Sequence, residues 1–294
     1  MGTAKENIME STKHEQKFSG DVVDKAKKLG WIKEFSKGQF IYNKQYTELA
    51  RKIEAIIVNE IGLTQGFSEY LFPKLIPLQL MKKMGYLEHL ANTVYYASEL
   101  GKEPDFVLAP AQCEPFFWLF ENTIVDNKLP IKIMDRSGYT YRVGSQSNRT
   151  GSVERLKEFL KIELMWLGKP KDVEKTRQDL LKKTLYVFDE IFEMNWSVET
   201  NGSPFYLIGK KKEDSYPKVS KYRIKSGALD QKEASIDLVS LNCQGPYFTN
   251  IFNINEKSGT TLWTGDAGIG INQLSMAFLA QHGFDIKKWP KALK

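Results

Sequence analysis

"ERLKEFLKIELMWLG", residues 154–168, is the stretch whose reading decides how this chain is built. Read with a period of two, it places Leu156, Leu160, Ile162, Leu164 and Trp166 on one face, and Arg155, Lys157, Phe159, Lys161 and Glu163 on the other. As a helix it would set Glu163 in the same stripe as Leu156 and Phe159, so a strand is the better solution. One face packs, and the other is lined with charge around a single aromatic ring. Such a face would be costly to bury against helices, but it suits the floor of a cleft for an anionic ligand. The plainer alternative is a solvated sheet face laced with Lys and Glu pairs.

Working outward, "LPIKIMDRSGYTYRVG" (129–144) reads as a partner strand, joined to the first by a polar loop containing Ser145, Ser147, Asn148 and Gly151. Upstream, Leu49, Ile53, Ile56, Ile57 and Ile61 recur at helical spacing, and Gly62 is placed to stop that helix. In "GFSEYLFPKLIPLQLMKKM" (66–84), Pro73 restricts the first half to an edge strand or strand end, and Pro77 opens a helix carrying Leu78, Met81 and Met84. Downstream, "SIDLVSLN" (235–242) and "FTNIFNIN" (248–255) alternate as strands, and "TTLW" (260–263) is short and β-prone. "TGDAGIGINQLSMAFLAQHG" (264–283) then reads as a glycine-rich turn leading into a helix with Ile271, Leu274, Phe278 and Leu279 in the core and Gly283 beyond its end. Such a turn can cradle phosphate. However, no Lys-Ser/Thr follows the glycines, and their order does not match a dinucleotide fingerprint. With no regular βαβ rhythm, the expected fold is α+β, a mostly antiparallel sheet with helices to one side.

The chain has 294 residues, 41% of them hydrophobic, enough for a full-sized core. Residues 1–18 are polar apart from scattered apolar residues and are expected to be a disordered tail, with a single domain over 19–294. Two cysteines exclude a disulfide framework, and the absence of a signal peptide or long apolar run points to a cytoplasmic protein without a membrane span. A net charge of +6, from 42 Lys and Arg against 36 Asp and Glu, favours anionic partners or is simply solubility charge. His14, His89 and His282 show no triad or metal spacing.

"GFSEYLFPKLIPL", "VLAPAQCEPFF" (107–117), "LPIKIMDRSGYTYR", "ERLKEFLKIELMWLG", "PFYLIGKK" (204–211) and the segment 262–290 resemble, in that order, the catalytic domain of the class II seryl-tRNA synthetases of the methanogen type. They also resemble its shortened relatives, the amino acid:carrier-protein ligases. The resemblance covers roughly residues 45–292. It implies an antiparallel sheet flanked by helices and a homodimer formed through the segment around Pro73. It also implies a zinc ion gripping the substrate amino group, with Cys113 and Glu163 as ligands. The third ligand is a cysteine in the family but Asp266 here, and Cys243 on a neighbouring strand is the other candidate. For ATP and Mg2+, the resemblance assigns Arg142 and Arg155 to the phosphates and Phe159 to the adenine ring, with Asn242 and Gln244 lining the amino acid pocket. Two family positions have changed, a glutamate to Gly144 and an arginine to Gln273, which implies weaker adenylation.

Because the family's N-terminal tRNA-binding domain has no counterpart before residue 66, tRNA binding is not expected on this reading. The expected function is therefore a zinc-dependent ligase that activates a small amino acid as its adenylate and passes it to a carrier protein or small nucleophile in specialised biosynthesis. The alternative is a paralogue that has lost adenylation and binds an amino acid or uses the pocket for another reaction.

Overall fold

The computed structural model describes residues 6–125, 129–143, 156–201, 221–228 and 235–294. Its centre is a nine-stranded sheet built from β1 (Glu6–Ser11), β2 (Ser68–Glu69), β3 (Ile131–Asp135), β4 (Tyr139–Tyr141), β5 (Glu158–Gly168), β6 (Trp196–Asn201), β7 (Lys221–Ala228), β8 (Ser235–Gly245) and β9 (Trp263–Gly270). The order is β1-β6-β7-β8-β9-β5-β3-β2, with β4 pairing the start of β5. Every pair is antiparallel except β2 on β3. The expected α+β sheet is present, and "ERLKEFLKIELMWLG" supplies its central strand.

The period-two reading of that strand also fixes the layers. Ile162, Leu164 and Trp166 join Leu241, Ala267 and Ile269 from the neighbouring strands in one buried cluster. That cluster packs on three helices: α1 (Lys44–Ile57), α3 (Pro170–Tyr186) and α4 (Ile271–His282). Asn43 caps α1 by accepting from the Tyr46 amide, and Pro170 sits at the start of α3, where its missing N–H costs nothing. The opposite face of the sheet is apolar only at one end. There Ile133, Met165 and Leu167 join a second cluster with Val107, Cys113, Phe116, Phe117 and Phe248, which seats the short helix α2 (Glu114–Leu119). Between that cluster and the far strands the same face carries the polar residues considered below.

Three sequence expectations change. Residues from Glu6 onward are not a frayed tail: β1 pairs with β6, and the Lys17 amide donates to the Gln281 carbonyl at 2.8 Å. "FTNIFNIN" is not a strand but a helical turn, Tyr247–Ile251, followed by the short strand Asn255–Glu256; its phenylalanines face the second cluster. The glycine-rich run is not a turn either, because residues 263–270 form β9 in full. Its glycines make room for large side chains reaching across from β5. A Cβ at Gly265 would lie 2.3 Å from the Trp166 ring, and one at Gly268 would lie 2.5 Å from Lys161 Cε. The helix after it begins at Ile271 as expected, and Gly283 closes it with φ +73°.

The segment around Pro73 lines an open groove of about 450 Å³ together with Leu75, Leu80 and Trp118, and leaves Leu71 78% exposed. No helix among the described residues is long and apolar enough to cross a membrane.

Candidate active site

The candidate site lies on the face of the sheet opposite the large core. Antiparallel register places residues that pair across strands on the same face, so Lys221, Asn242, Asp266 and Met165 form one row across β7, β8, β9 and β5. Lys161 and Glu163 share that face, four and two residues before Met165 on β5. Cys113 and Glu114 are brought to the same place by the loop entering α2. Gln112, just before them, has φ +83°, a left-handed conformation rare outside glycine, and is fully buried. That conformation holds the loop against the sheet: Gln112 Nε2 donates to the Gly138 carbonyl, and Lys161 Nζ donates to the Ala111 carbonyl at 2.8 Å.

The site is acidic at this end. Glu163 forms a buried ion pair with Lys161. Asp266 accepts from the amides of Asn242, at 2.5 Å, and Gln244. Glu114 is fully buried; nearby backbone amides approach its carboxyl without completing an aligned hydrogen bond, and both oxygens lack a partner. Burial pushes all three carboxyls above their usual range, with Lys161 pulling against it in each case. Gln244 Oε1, Gln112 Oε1 and Gln273 Oε1 are buried without partners as well. Buried polar atoms without a partner are the exception in a folded protein.

The other end is cationic. Arg142 follows β4, its amide bonded to the Lys157 carbonyl and its Nε to the Pro110 carbonyl at 2.9 Å. No carboxylate among the described residues pairs with it. Phe159 is 9% exposed and sits on the same face of β5 as Lys161.

The structure thus gathers Cys113, Glu163, Asp266, Asn242, Gln244, Arg142 and Phe159 on one face. Arg155 and Gly144 lie outside the described residues. Cys243 does not belong with them: it pairs with Gly265 on the opposite face and is fully buried in the large core. Lys161, Glu114, Gln112 and Lys221 were not singled out from sequence. The signal that could have found Lys161 is its place on the charged face two residues before Glu163.

The zinc ion implied by the resemblance does not fit these residues. A zinc site needs lone pairs from its ligands directed at one point. Glu163 is engaged by the Lys161 ammonium, and both Asp266 oxygens are taken by amides. Burial, reinforced by Glu114, Asp266 and Glu163, pushes the Cys113 thiol well up. Among the described residues no group of three or more His, Cys, Asp or Glu is placed to hold a metal ion. Protein purified without chelator is therefore expected to carry well below about half an equivalent of zinc by plasma mass spectrometry; stoichiometric zinc would reverse this conclusion.

No family model matches the chain. Type-2 serine-tRNA ligases do: that of Methanopyrus kandleri is 36% identical over 97% of this chain, and that of Methanocaldococcus jannaschii 38% identical over 94%. The chain spans about three fifths of these relatives, 62% and 59% of their lengths. The M. kandleri seryl-tRNA synthetase solved in complex with Aquifex aeolicus tRNASec superposes with a TM-score of 0.89 at 35% identity, over 98% of this chain and 62% of that one. The Pyrococcus horikoshii seryl-tRNA synthetase complexed with ATP gives a TM-score of 0.76 at 16% identity, over 94% and 62%, a likeness of fold alone. The fold is that of the class II aminoacyl-tRNA synthetases.

These likenesses correct the sequence reading in two respects. Transfer to a carrier protein, and a paralogue without adenylation, find no support: the similar proteins are ligases that charge tRNA. The expectation that tRNA is not bound is overturned by the M. kandleri relative, which is seen holding one.

Proposed function

We propose, from the premise that this chain is a homologue of the type-2 serine-tRNA ligases, that it carries the catalytic centre of an ATP-dependent aminoacyl-tRNA ligase and charges tRNA with serine. The observation that carries this reading is the polarity of the site: buried carboxyls at one end, and at the other cations that pair with no carboxylate among the described residues. An α-amino acid has the complementary charges, an ammonium on one side of Cα and a carboxylate on the other. Its adenylate keeps the ammonium and replaces the carboxylate charge with that of a phosphate.

In this reading the substrate ammonium lies against Asp266, Glu163 and Glu114, held without a metal. Asn242 and Gln244 fix the Asp266 carboxylate through its two oxygens. Arg142 stabilises the charge that builds on the α-phosphate as the substrate carboxylate attacks it, and pyrophosphate leaves. Phe159 offers its ring to the adenine, and Arg155 supplies a further cation for the outer phosphates. Mg2+ would come in with ATP and would offset the negative charge of its phosphates.

The direct test is twofold. Serine-dependent exchange of labelled pyrophosphate into ATP should be present, as should transfer of labelled serine to total tRNA. Absence of exchange with every common amino acid would falsify the proposal. Exchange without charging would remove the tRNA step alone.

A further inference from the structure

Strand β7 carries three cations on the pocket face, Lys221, Arg223 and Lys225, spaced by two as a strand requires. Two of them are neutralised on the sheet itself. Lys225 pairs with Glu199 at 2.8 Å, and Arg223 pairs with Asp237 at 3.1 Å. The side chain of Lys221, at the end of the strand nearest the site, makes no hydrogen bond or ion pair with any described residue. It stands opposite Asn242 in register, and Asn242 stands opposite Asp266. That places its backbone two strand spacings, about 10 Å, from the aspartate. The neighbouring charges that act on it include a second cation of the site, Arg142.

A lysine that is desolvated, pairs with no described carboxylate and feels the charges of two arginines is an unfavourable arrangement. Burial first, then Arg223, pushes its ammonium down to about 8, with Asp266 working in the opposite sense. Sequence gave no hint of it, since Lys221 follows a run of lysines and reads as surface charge.

We propose that Lys221 is a substrate-binding residue which, together with Arg142, holds the oxyanion of the bound ligand. This rests on the proposed function only for what bears the oxyanion, the nucleotide phosphate or the amino acid carboxylate. The two cations then form the counter-pole to Asp266, Glu163 and Glu114.

The experiment compares wild type, Lys221→Met and Lys221→Arg by calorimetric titration with AMP and, separately, with L-serine. The methionine variant should weaken at least one of the two by about tenfold or more, and arginine should recover most of the loss. Loss toward AMP assigns the phosphate; loss toward serine assigns the carboxylate. Removing an unpaired, desolvated ammonium should leave Tm at neutral pH no lower than wild type. A merely structural lysine would lower it. Unchanged affinity for both ligands in Lys221→Met, no binding of either by wild type, or weakened binding with a lower Tm overturns the assignment. The proposed function fails separately: if wild type shows no pyrophosphate exchange while Lys221→Met still loses AMP affinity, Lys221 stands and the ligase reading does not. Normal exchange in both proteins with unchanged affinities gives the converse.

Discussion

Replacing Arg142 by alanine should lower serine-dependent pyrophosphate exchange by about 100- to 1000-fold, the usual loss when one preorganised donor to a developing oxyanion is removed. Its side chain is already oriented before any ligand binds. The bond from Nε to the Pro110 carbonyl at 2.9 Å fixes the guanidinium plane, leaving the terminal N–H groups for a ligand. No described carboxylate competes for them. Lysine at this position keeps the charge but loses the planar fork, so Arg142→Lys should recover only a small part of the rate. The same Nε contact ties down the loop that ends at Cys113, and Arg142→Ala therefore needs its Tm measured alongside. Exchange within about threefold of wild type, in folded protein, would show that the phosphate is stabilised elsewhere.

The second large effect is on stability and lies on the opposite face of the sheet. Trp166 is fully buried on β5, its indole N–H donating to the Val173 carbonyl at 3.1 Å and its ring edge-on to Phe67. The ring lies across Gly265 of β9, so closely that a Cβ there would fall 2.3 to 2.6 Å from three of its atoms. A rigid ring held by a hydrogen bond and close packing has nowhere to move. Gly265→Ala should therefore cost about 1–3 kcal/mol or more through overpacking, and Trp166→Ala about 3–5 kcal/mol through the cavity it leaves. Because the new methyl group enters the space the indole vacates, the double variant should be more stable than the sum of the two losses implies. Urea unfolding of the four proteins measures this coupling. Strict additivity, or a Gly265→Ala protein as stable as wild type, would mean that the two strands can separate to admit the methyl group.

These two positions also show how unevenly the molecule can be read from its sequence. The alternation separated Leu160, Ile162, Leu164 and Trp166 from Phe159, Lys161 and Glu163 as the register of β5 does, because period two is a local property, but it left Met165 and Leu167, which make one end of the second face apolar, unplaced. The same reading mistook the glycines of β9 for a turn. Glycine signals backbone freedom, but Gly265 and Gly268 are needed for space, and the side chains that need it, Trp166 and Lys161, lie about a hundred residues away. "FTNIFNIN" alternated by accident, since helical turns with phenylalanines on one side can mimic a strand over so short a stretch.

Local pattern and family likeness in the sequence pointed to the antiparallel α+β architecture, to a charged sheet face, and to Arg142, Phe159, Glu163, Asn242, Gln244 and Asp266, which the structure gathers on that side. These follow from periodicity and motif order, which need no knowledge of neighbours. Only the tertiary structure decided which charges are already satisfied. Lys161 is spent on Glu163, the amides of Asn242 and Gln244 are spent on Asp266, Cys243 faces the core, and the Lys221 side chain pairs with none of the described residues. Whether an ionic side chain is free to bind depends on what stands within a few ångströms of it, and in a sheet those neighbours come from strands far apart in the chain.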